Sequence, residues 1–343
     1  MNVVPSSKSR QPVREAWTLE HLRLERAHAL GASLERSTAK TYASAFLSYS
    51  TFCEKHGFPL RPTADTFSFY TVYMSHYIRP TSVKSYLSGI CAELEAFWPE
   101  VRDIRKSHLV TKTLAGCMKL YGTAPHRKRA LTQEDLIKIL VSISQTPSHD
   151  DLLFVALVFT GWHCLMRLGE LVDPDDWELR DFRKCITRRS VVLKTSPRPH
   201  FSFLLPMHKA DRFFEGSTVV LEQRGGLIDP MPVFQDYLAS RDAKFKPFPE
   251  LWLKSDGHVP TRSWFITRLK AILPEDDVAG HSLRSGGATA LALAGVPLDR
   301  IQLIGRWSSD AFLIYIRQNP ILVQSALTRQ AAFDGPGTSS TSL

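Results

Sequence analysis

The chain has 343 residues, a net charge of +9 and a pI near 9.3. This length can bury a sizeable core and suggests two domains. The longest apolar run, residues 152–159, is too short to cross a membrane, and no apolar signal segment follows the N-terminus. Five scattered cysteines fit a reducing compartment. The sequence therefore predicts neither a membrane protein nor a secreted one. Its positive net charge is compatible with nucleic acid as a partner.

The N-terminal third predicts a helical domain behind a polar arm. Residues 1–16 are rich in Ser, Lys and Arg, which predicts a disordered arm. Apolar side chains then recur every three or four residues from Tyr42 to Phe52. Three more helices are expected near 64–77, from Pro80 to Pro99, and over 107–120. No strand pattern interrupts this series, so we predict an all-α domain over 17–121.

A basic segment with Gly and Pro, residues 122–131, predicts a linker. Thr132 then has the position of a helix N-cap with acidic residues behind it. A buried helix is expected over 150–159, with an interruption at Gly161. The second region therefore begins with helices.

A small antiparallel sheet follows in the predicted order. Three β-branched or apolar runs are separated by turns that carry Pro or Gly: 189–194, 201–207 and 218–221. Helices resume near Met231, Thr261, Ser282 and Pro297. The Ser/Thr/Gly-rich C-terminus predicts disorder over 332–343. We therefore predict a mixed α/β domain, mainly helical, over 132–331.

His281 and Arg284 lie three residues apart at the start of a predicted helix, so both face the same side. A guanidinium can bind two phosphate oxygens at once, and an imidazole can transfer a proton near neutral pH. The pattern is short, and alone it more often marks an ordinary helix start with two solvated side chains. Its weight depends on the remaining residues.

Five other residues add to this pattern. Arg167 follows the buried helix, and Glu170 three residues later can orient its guanidinium, although the pair alone could be an ordinary ion pair. Lys209 lies where the second strand turns toward the third. Tyr315 is the only tyrosine after Tyr237 and lies eight residues beyond Trp307. Together they supply cations, a proton carrier and a nucleophile for cleaving a phosphodiester.

Taken in order, these residues resemble the active site of the tyrosine recombinase (phage-integrase-like) family: Arg167, Lys209, His281-x-x-Arg284, Trp307 and Tyr315. The resemblance extends from Trp17 to Ala331 and is greatest to recombinases of Crypton-type mobile elements, through residues 208–211 and 305–312. It implies a multidomain fold, with a SAM-like, all-α core-binding domain and a mixed α/β catalytic domain that carries a small antiparallel sheet.

The resemblance implies a site-specific DNA recombinase that cuts and rejoins DNA through a 3′-phosphotyrosyl intermediate at Tyr315, for integration or excision of a mobile element. Arg167 and Arg284 would bind the phosphate with a hydrogen bond from Trp307, His281 would accept the tyrosine proton, and Lys209 would protonate the leaving oxygen. Glu170 would support Arg167.

The implied partners are double-stranded DNA and three further copies of the chain, in a tetramer on two DNA sites. Linker residues Arg127, Lys128 and Arg129 would contact DNA phosphates. Neither a cofactor nor a metal is expected, since the chain has no phosphate-cradling loop, and Cys53 and His56 lack a second ligand pair nearby. The expected location is the nucleus in a eukaryote, otherwise the cytoplasm or nucleoid.

Several alternatives stay open. The chain could be a recombinase-derived DNA-binding protein without activity, or a type IB topoisomerase-like enzyme that relaxes DNA. Lys194 competes with Lys209 for the role of catalytic lysine. The spacing from Trp307 to Tyr315 is one residue shorter than in many members, so Arg306 competes with Trp307 for its position.

Overall fold

The computed structural model describes residues 14–124, 128–208, 211, 214–274 and 277–313. The chain divides into two compact units, Met1–Pro125 and His126–Leu343, and the division falls within the segment 122–131 that the sequence predicts as a linker. Three predicted site residues lie outside the described part of the chain: Arg127, Lys209 and Tyr315.

The described residues of the first unit form only helices, as predicted. They are α1 (Leu19–Ala32), α2 (Arg36–His56), α3 (Ala64–Ser75), α4 (Pro80–Leu94), α5 (Val101–Lys106) and α6 (His108–Leu120). Gly57 ends α2 in the left-handed conformation, with φ 68°. A capping box between Thr63 and Thr66 starts α3, and Pro80 takes the first position of α4. Local caps therefore set these boundaries.

An aromatic cluster forms the core of the first unit. Tyr49 packs edge-on against Phe67 and Tyr70, with ring centroids 5.4 Å apart in both pairs. All three rings are fully buried. Gly89 allows α4 to approach α2 closely, because a Cβ there would lie 2.9 Å from the ring of Tyr42. The predicted apolar repeat of α2 therefore faces this core.

The second unit combines helices with three strands in its described residues. The helices are α7 (Gln133–Val141), α8 (His149–His163), α9 (Pro230–Phe245), α10 (Arg262–Ile272), α11 (Gly280–Leu293) and α12 (Leu298–Gly305). The strands are β1 (Val192–Lys194), β2 (His200–Leu205) and β3 (Ser217–Glu222). They form an antiparallel sheet in the order β1-β2-β3, with Phe201 opposite Leu221. The prediction of a mainly helical fold with a small antiparallel sheet is confirmed.

Three predicted boundaries in this unit are wrong. The helix α8 continues through Gly161 to His163, because Gly161 serves close packing: its Cβ would lie 3.1 Å from the side chains of Leu171 and Leu283. The first strand starts at Val192, since residues 188–190 form a 3-10 helix. The second strand ends at Leu205, directly before a proline that cannot donate a ladder hydrogen bond.

The helix α8 is the centre of the second unit. Its residues from Leu153 to His163 are buried, and they pack against α9 and α11. Such a helix, apolar on every side, is expected inside a large domain. Because α8 leads directly into Leu165 and Arg167, its burial fixes the position of the segment that carries the first predicted arginine.

Candidate active site

Three glycines bring the start of α11 close to α8 and to the 3-10 helix at residues 168–170. A Cβ on Gly280 would lie 2.4 Å from the side chain of Leu168. A Cβ on Gly286 would lie 2.1 Å from the carbonyl oxygen of Leu131, and one on Gly287 would lie 2.0 Å from that of Trp162. A larger residue would require backbone to move at Gly286 and Gly287, and would require the side chain of Leu168 to move at Gly280. The glycines therefore determine where His281 and Arg284 are placed.

Arg284 is fully buried, and the backbone holds its guanidinium. Its Nη1 donates to the carbonyl oxygen of Leu165 at 2.7 Å, and its Nη2 donates to the carbonyl oxygen of Gly305. The ring of Trp307 lies over the guanidinium, with its centroid 3.9 Å from Cζ. Such a contact combines charge attraction to the ring with stacking. The predicted Trp307 is thus in direct contact with the predicted Arg284.

Two non-glycine residues next to the carbonyl groups that bind Arg284, or carrying one of them, have a left-handed backbone conformation. Leu165, whose own carbonyl accepts from Arg284, has φ 51°, and Arg306, directly after Gly305, has φ 54°. A side chain in this region costs about 1–2 kcal/mol. Conformations of this kind concentrate at functional sites, where packing over-determines them. Here they accompany both carbonyls that hold the buried guanidinium.

Arg167 and Glu170 form the predicted pair. Nη1 of Arg167 donates to Oε1 of Glu170 at 2.9 Å, and the backbone N–H of Arg167 donates to Oε2 at 3.0 Å. The side chain of Glu170 is 7% exposed and that of Arg167 is 29% exposed. A second cation also reaches the carboxylate, because Nη2 of Arg306 lies 3.2 Å from Oε2. This contact of Arg306, which the sequence offers only as an alternative to Trp307, was not predicted.

His281 is exposed in the first turn of α11, three residues before Arg284. Although the residue as a whole is exposed, protein atoms around the ring exclude part of its water and lower the pKa of His281, and the positive charges of Arg284 and Arg167 lower it further. Both arginines therefore act on one imidazole, which places three of the predicted residues in one neighbourhood. A histidine with a lowered pKa is neutral at pH 7 and can accept a proton.

The two lysine candidates differ in what the structure describes. Lys194 ends β1 at the edge of the sheet and is exposed. Lys209 lies outside the described residues, but its chain position between β2 and β3 is the predicted turn. Tyr315 also lies outside them, two residues after the last described residue, Leu313. Their roles stay predictions.

Two of the linker residues form ion pairs within the protein. Lys128 contacts the carboxylate of Asp277. Arg129 forms a two-pronged pair with Asp135, at 2.5 and 3.0 Å, and that carboxylate also accepts from the backbone N–H of Thr132 in the capping box of α7. Arg129 therefore helps to fix the start of α7. Contact of Lys128 and Arg129 with DNA stays a prediction.

Two groups that support the site could not be predicted from the sequence, the carbonyls of Leu165 and Gly305. Arg306 was expected only as an alternative to Trp307, and its contact with Glu170 was not predicted. A weak signal was available in the pair Gly286-Gly287 inside a helical pattern, since such glycines usually mark close packing.

Among the described residues, no group of three His, Cys, Asp or Glu could hold a metal ion. In the same part of the chain, no helix is long and apolar enough to cross a membrane.

No protein-family model matches the chain, and no curated protein matches it in sequence. Solved structures do match. The XerH site-specific recombinase bound to palindromic difH substrate, a post-cleavage complex, has a TM-score of 0.59 at 17% identity, covering 85% of this chain and 79% of that one. A lambda integrase dimer bound to a COC′ core site has a TM-score of 0.54 at 15% identity, covering 86% and 94%.

A third structure, the Tn1549 transposon integrase in complex with transposon right end DNA, has a TM-score of 0.51 at 15% identity and covers 86% of this chain and 99% of that one. These neighbours are tyrosine recombinases and integrases. The chain therefore has the tyrosine recombinase fold. Along the chain, the helical unit comes first and the mixed α/β unit comes second.

Proposed function

We propose that the protein is a site-specific DNA recombinase that breaks and rejoins strands through Tyr315. The observation that carries this proposal is the buried, backbone-held guanidinium of Arg284, with His281 one turn earlier in α11 and Arg167 paired with Glu170, which also contacts Arg306 beside the turn that holds Arg284. Trp307 against Arg284 completes the arrangement. On this fold, two fixed cations beside a proton acceptor suit an in-line attack on a phosphodiester.

In the proposed reaction, the phenol oxygen of Tyr315 attacks the scissile phosphorus, and the bond to the 5′ oxygen breaks. The product is a 3′-phosphotyrosyl bond and a free 5′-hydroxyl. Arg167 and Arg284 bind the non-bridging oxygens as negative charge builds on them. His281 accepts the phenol proton, and Lys209 donates one to the leaving oxygen. A 5′-hydroxyl of the partner strand then reverses the step without ATP.

The neighbours bound to DNA support double-stranded DNA as the partner of this chain. The match to a transposon integrase supports integration or excision of a mobile element as its role. Exchange of strands between two duplexes requires a cleaving copy for each of four strands, so we propose that four copies act together.

Covalent adducts on DNA that flanks the native gene test the proposal. The wild-type protein is incubated with nicked fragments, denatured, and separated from free DNA on a gel. We expect adducts with the wild type and none with Tyr315→Phe, while both proteins bind the same fragments. Tyr77→Phe is a matched control, because it removes an exposed phenol in the first unit and should leave the adducts unchanged.

The 5′ end released by cleavage should accept a labelled phosphate from a kinase without prior dephosphorylation. Adducts that survive Tyr315→Phe would show that another residue is the nucleophile. Intact binding without any adduct would favour an inactive DNA-binding protein. Relaxation of supercoiled plasmid by monomers without site preference would favour the topoisomerase alternative.

A further inference from the structure

Arg306 occupies an unusual position at the end of α12. Its φ of 54° and ψ of 44° are left-handed. Its backbone N–H donates to the carbonyl of Leu303 at 3.0 Å, and that of Trp307 donates to the carbonyl of Gln302 at 3.1 Å. These two bonds form a Schellman motif, in which glycine is the usual left-handed residue. An arginine there needs an explanation.

The side chain of Arg306 is held inside the protein. It is 11% exposed, its Nη2 lies 3.2 Å from Oε2 of Glu170, and its Nη1 donates to the carbonyl of Ile304 at 3.1 Å. Its Nε is buried with no hydrogen-bond partner among the described residues. Strain, burial of charge and an unsatisfied donor would all disappear with glycine. The end of a helix alone therefore does not account for Arg306.

The carboxylate of Glu170 joins Arg306 to Arg167. Oε1 accepts from Nη1 of Arg167 at 2.9 Å, and Oε2 accepts from the backbone N–H of Arg167 and contacts Arg306. Glu170 is 7% exposed, so these interactions are shielded from water. One buried anion is thus shared by two arginines.

The chain neighbours of Arg306 both contact Arg284. The carbonyl of Gly305 accepts from Nη2 of Arg284, and the ring of Trp307 covers the same guanidinium. Arg306 therefore anchors the turn 305–307, which holds Arg284, to the carboxylate that holds Arg167. The two phosphate-binding candidates come from α11 and from the segment after α8, and this turn connects them.

We propose that Arg306 is a positioning residue: by binding Glu170 it fixes the turn 305–307 and so sets the separation of Arg167 and Arg284. This inference rests on the proposed function, in which both arginines bind one phosphate. Arg306 need not touch the DNA in this role. Its effect is on the alignment of the two cations with the reacting phosphate, and a misplacement of about 1 Å can slow such a step about 100-fold.

Arg306→Gly is the informative variant, because it keeps the Schellman turn and removes only the side chain. On DNA with which the wild type forms adducts, we expect single-turnover cleavage to slow about 10- to 100-fold, with a DNA Kd within about twofold of the wild type. Arg300→Ala, on the exposed face of α12, removes the same charge and should cleave at the wild-type rate. Arg306→Lys, which can pair with Glu170 but lacks the second donor arm, should recover part of the rate.

A double-mutant cycle shows whether Arg306 acts through Glu170. We expect Arg306→Gly to slow cleavage less than about threefold in a Glu170→Gln background, because the connection is already broken. Equal effects in both backgrounds would overturn the positioning role and indicate that Arg306 acts directly on the phosphate. A parallel loss of Tm, DNA affinity and cleavage in Arg306→Gly would also overturn it, since that pattern indicates a general folding role.

The two proposals fail in different ways. If the wild type cleaves DNA and Arg306→Gly cleaves equally fast, the positioning role is wrong and the recombinase proposal stands. If the wild type forms no adduct on any flanking DNA, the recombinase proposal fails and the positioning role fails with it.

Discussion

The glycine at position 287 gives the most direct test of how the site is held. In Gly287→Ala the new Cβ would lie 2.0 Å from the carbonyl oxygen of Trp162 and 2.5 Å from Cδ2 of Leu165. Ordinary contacts of a Cβ begin at 3.4 Å, so α11 must move from α8 by roughly 1.4 Å. The hydrogen bond from Arg284 to Leu165, now 2.7 Å long, cannot survive that movement.

Two contributions set the size of the effect. Inserting a methyl group into a packed interface costs about 1–3 kcal/mol. Loss of a buried hydrogen bond from a charged donor adds about 1.5–3 kcal/mol. We therefore expect Gly287→Ala to lower the free energy of unfolding by about 3 kcal/mol or more. For a unit of this size, that corresponds to a Tm lower by at least about 6 °C.

Thermal unfolding followed by circular dichroism measures this change, and adduct formation measures its effect on the site. Gly116→Ala is the control, since it adds the same methyl group to α6, where no atom lies within 4 Å of the new Cβ. It should leave Tm unchanged or raise it, because alanine is the better helix former by about 1 kcal/mol. A Gly287→Ala protein that melts within about 2 °C of the wild type would refute the close contact between α8 and α11.

Two further predictions concern a buried histidine and the indole. Burial and then the charge of Arg224 lower the pKa of His163 to about 4. Its neutral form is therefore the folded one, and about 3 kcal/mol of stability should be lost as the pH falls from about 6.5 toward 4. Urea unfolding at several pH values should show that His163→Asn loses less stability at low pH than the wild type does. Parallel plots of stability against pH for the two proteins would contradict this. Trp307→Leu should slow cleavage about 2- to 30-fold through loss of the stack on Arg284, whereas Trp307→Phe, which keeps a ring over the guanidinium and loses only the N–H expected to donate to the phosphate, should cleave more slowly than the wild type but faster than Trp307→Leu. Equal rates in the two variants would exclude a role for the stack.

Much of the fold could be predicted because its signals are local. The capping box at Thr132, Pro80 at the start of α4 and the left-handed Gly57 after α2 each act within one or two turns. The apolar repeat of α2 likewise points to the core that it enters. The error at Gly161 has a physical reason, since the same residue type that breaks a helix also permits two helices to touch.

The sequence by itself determined which chemical groups the candidate site can contain, because residue types and their order do not depend on packing. It also placed His281 and Arg284 on one helix face, since the three-residue spacing is a property of the helix. Only the tertiary structure decided how Arg284 is held. Its acceptors are backbone carbonyls, whose directions follow from the left-handed residues Leu165 and Arg306 and from the glycine contacts of α11.

The sharing of Glu170 between Arg167 and Arg306 was likewise decided by the tertiary structure. Arg167 is three residues from Glu170 and within reach of any local pattern, whereas Arg306 is 136 residues away. A pair that distant forms only when α12 and the segment after α8 pack in one unit, and no periodicity along the chain encodes that packing. The contact of Glu170 with Arg167 thus follows from local spacing in the sequence, whereas its contact with Arg306 depends on long-range packing.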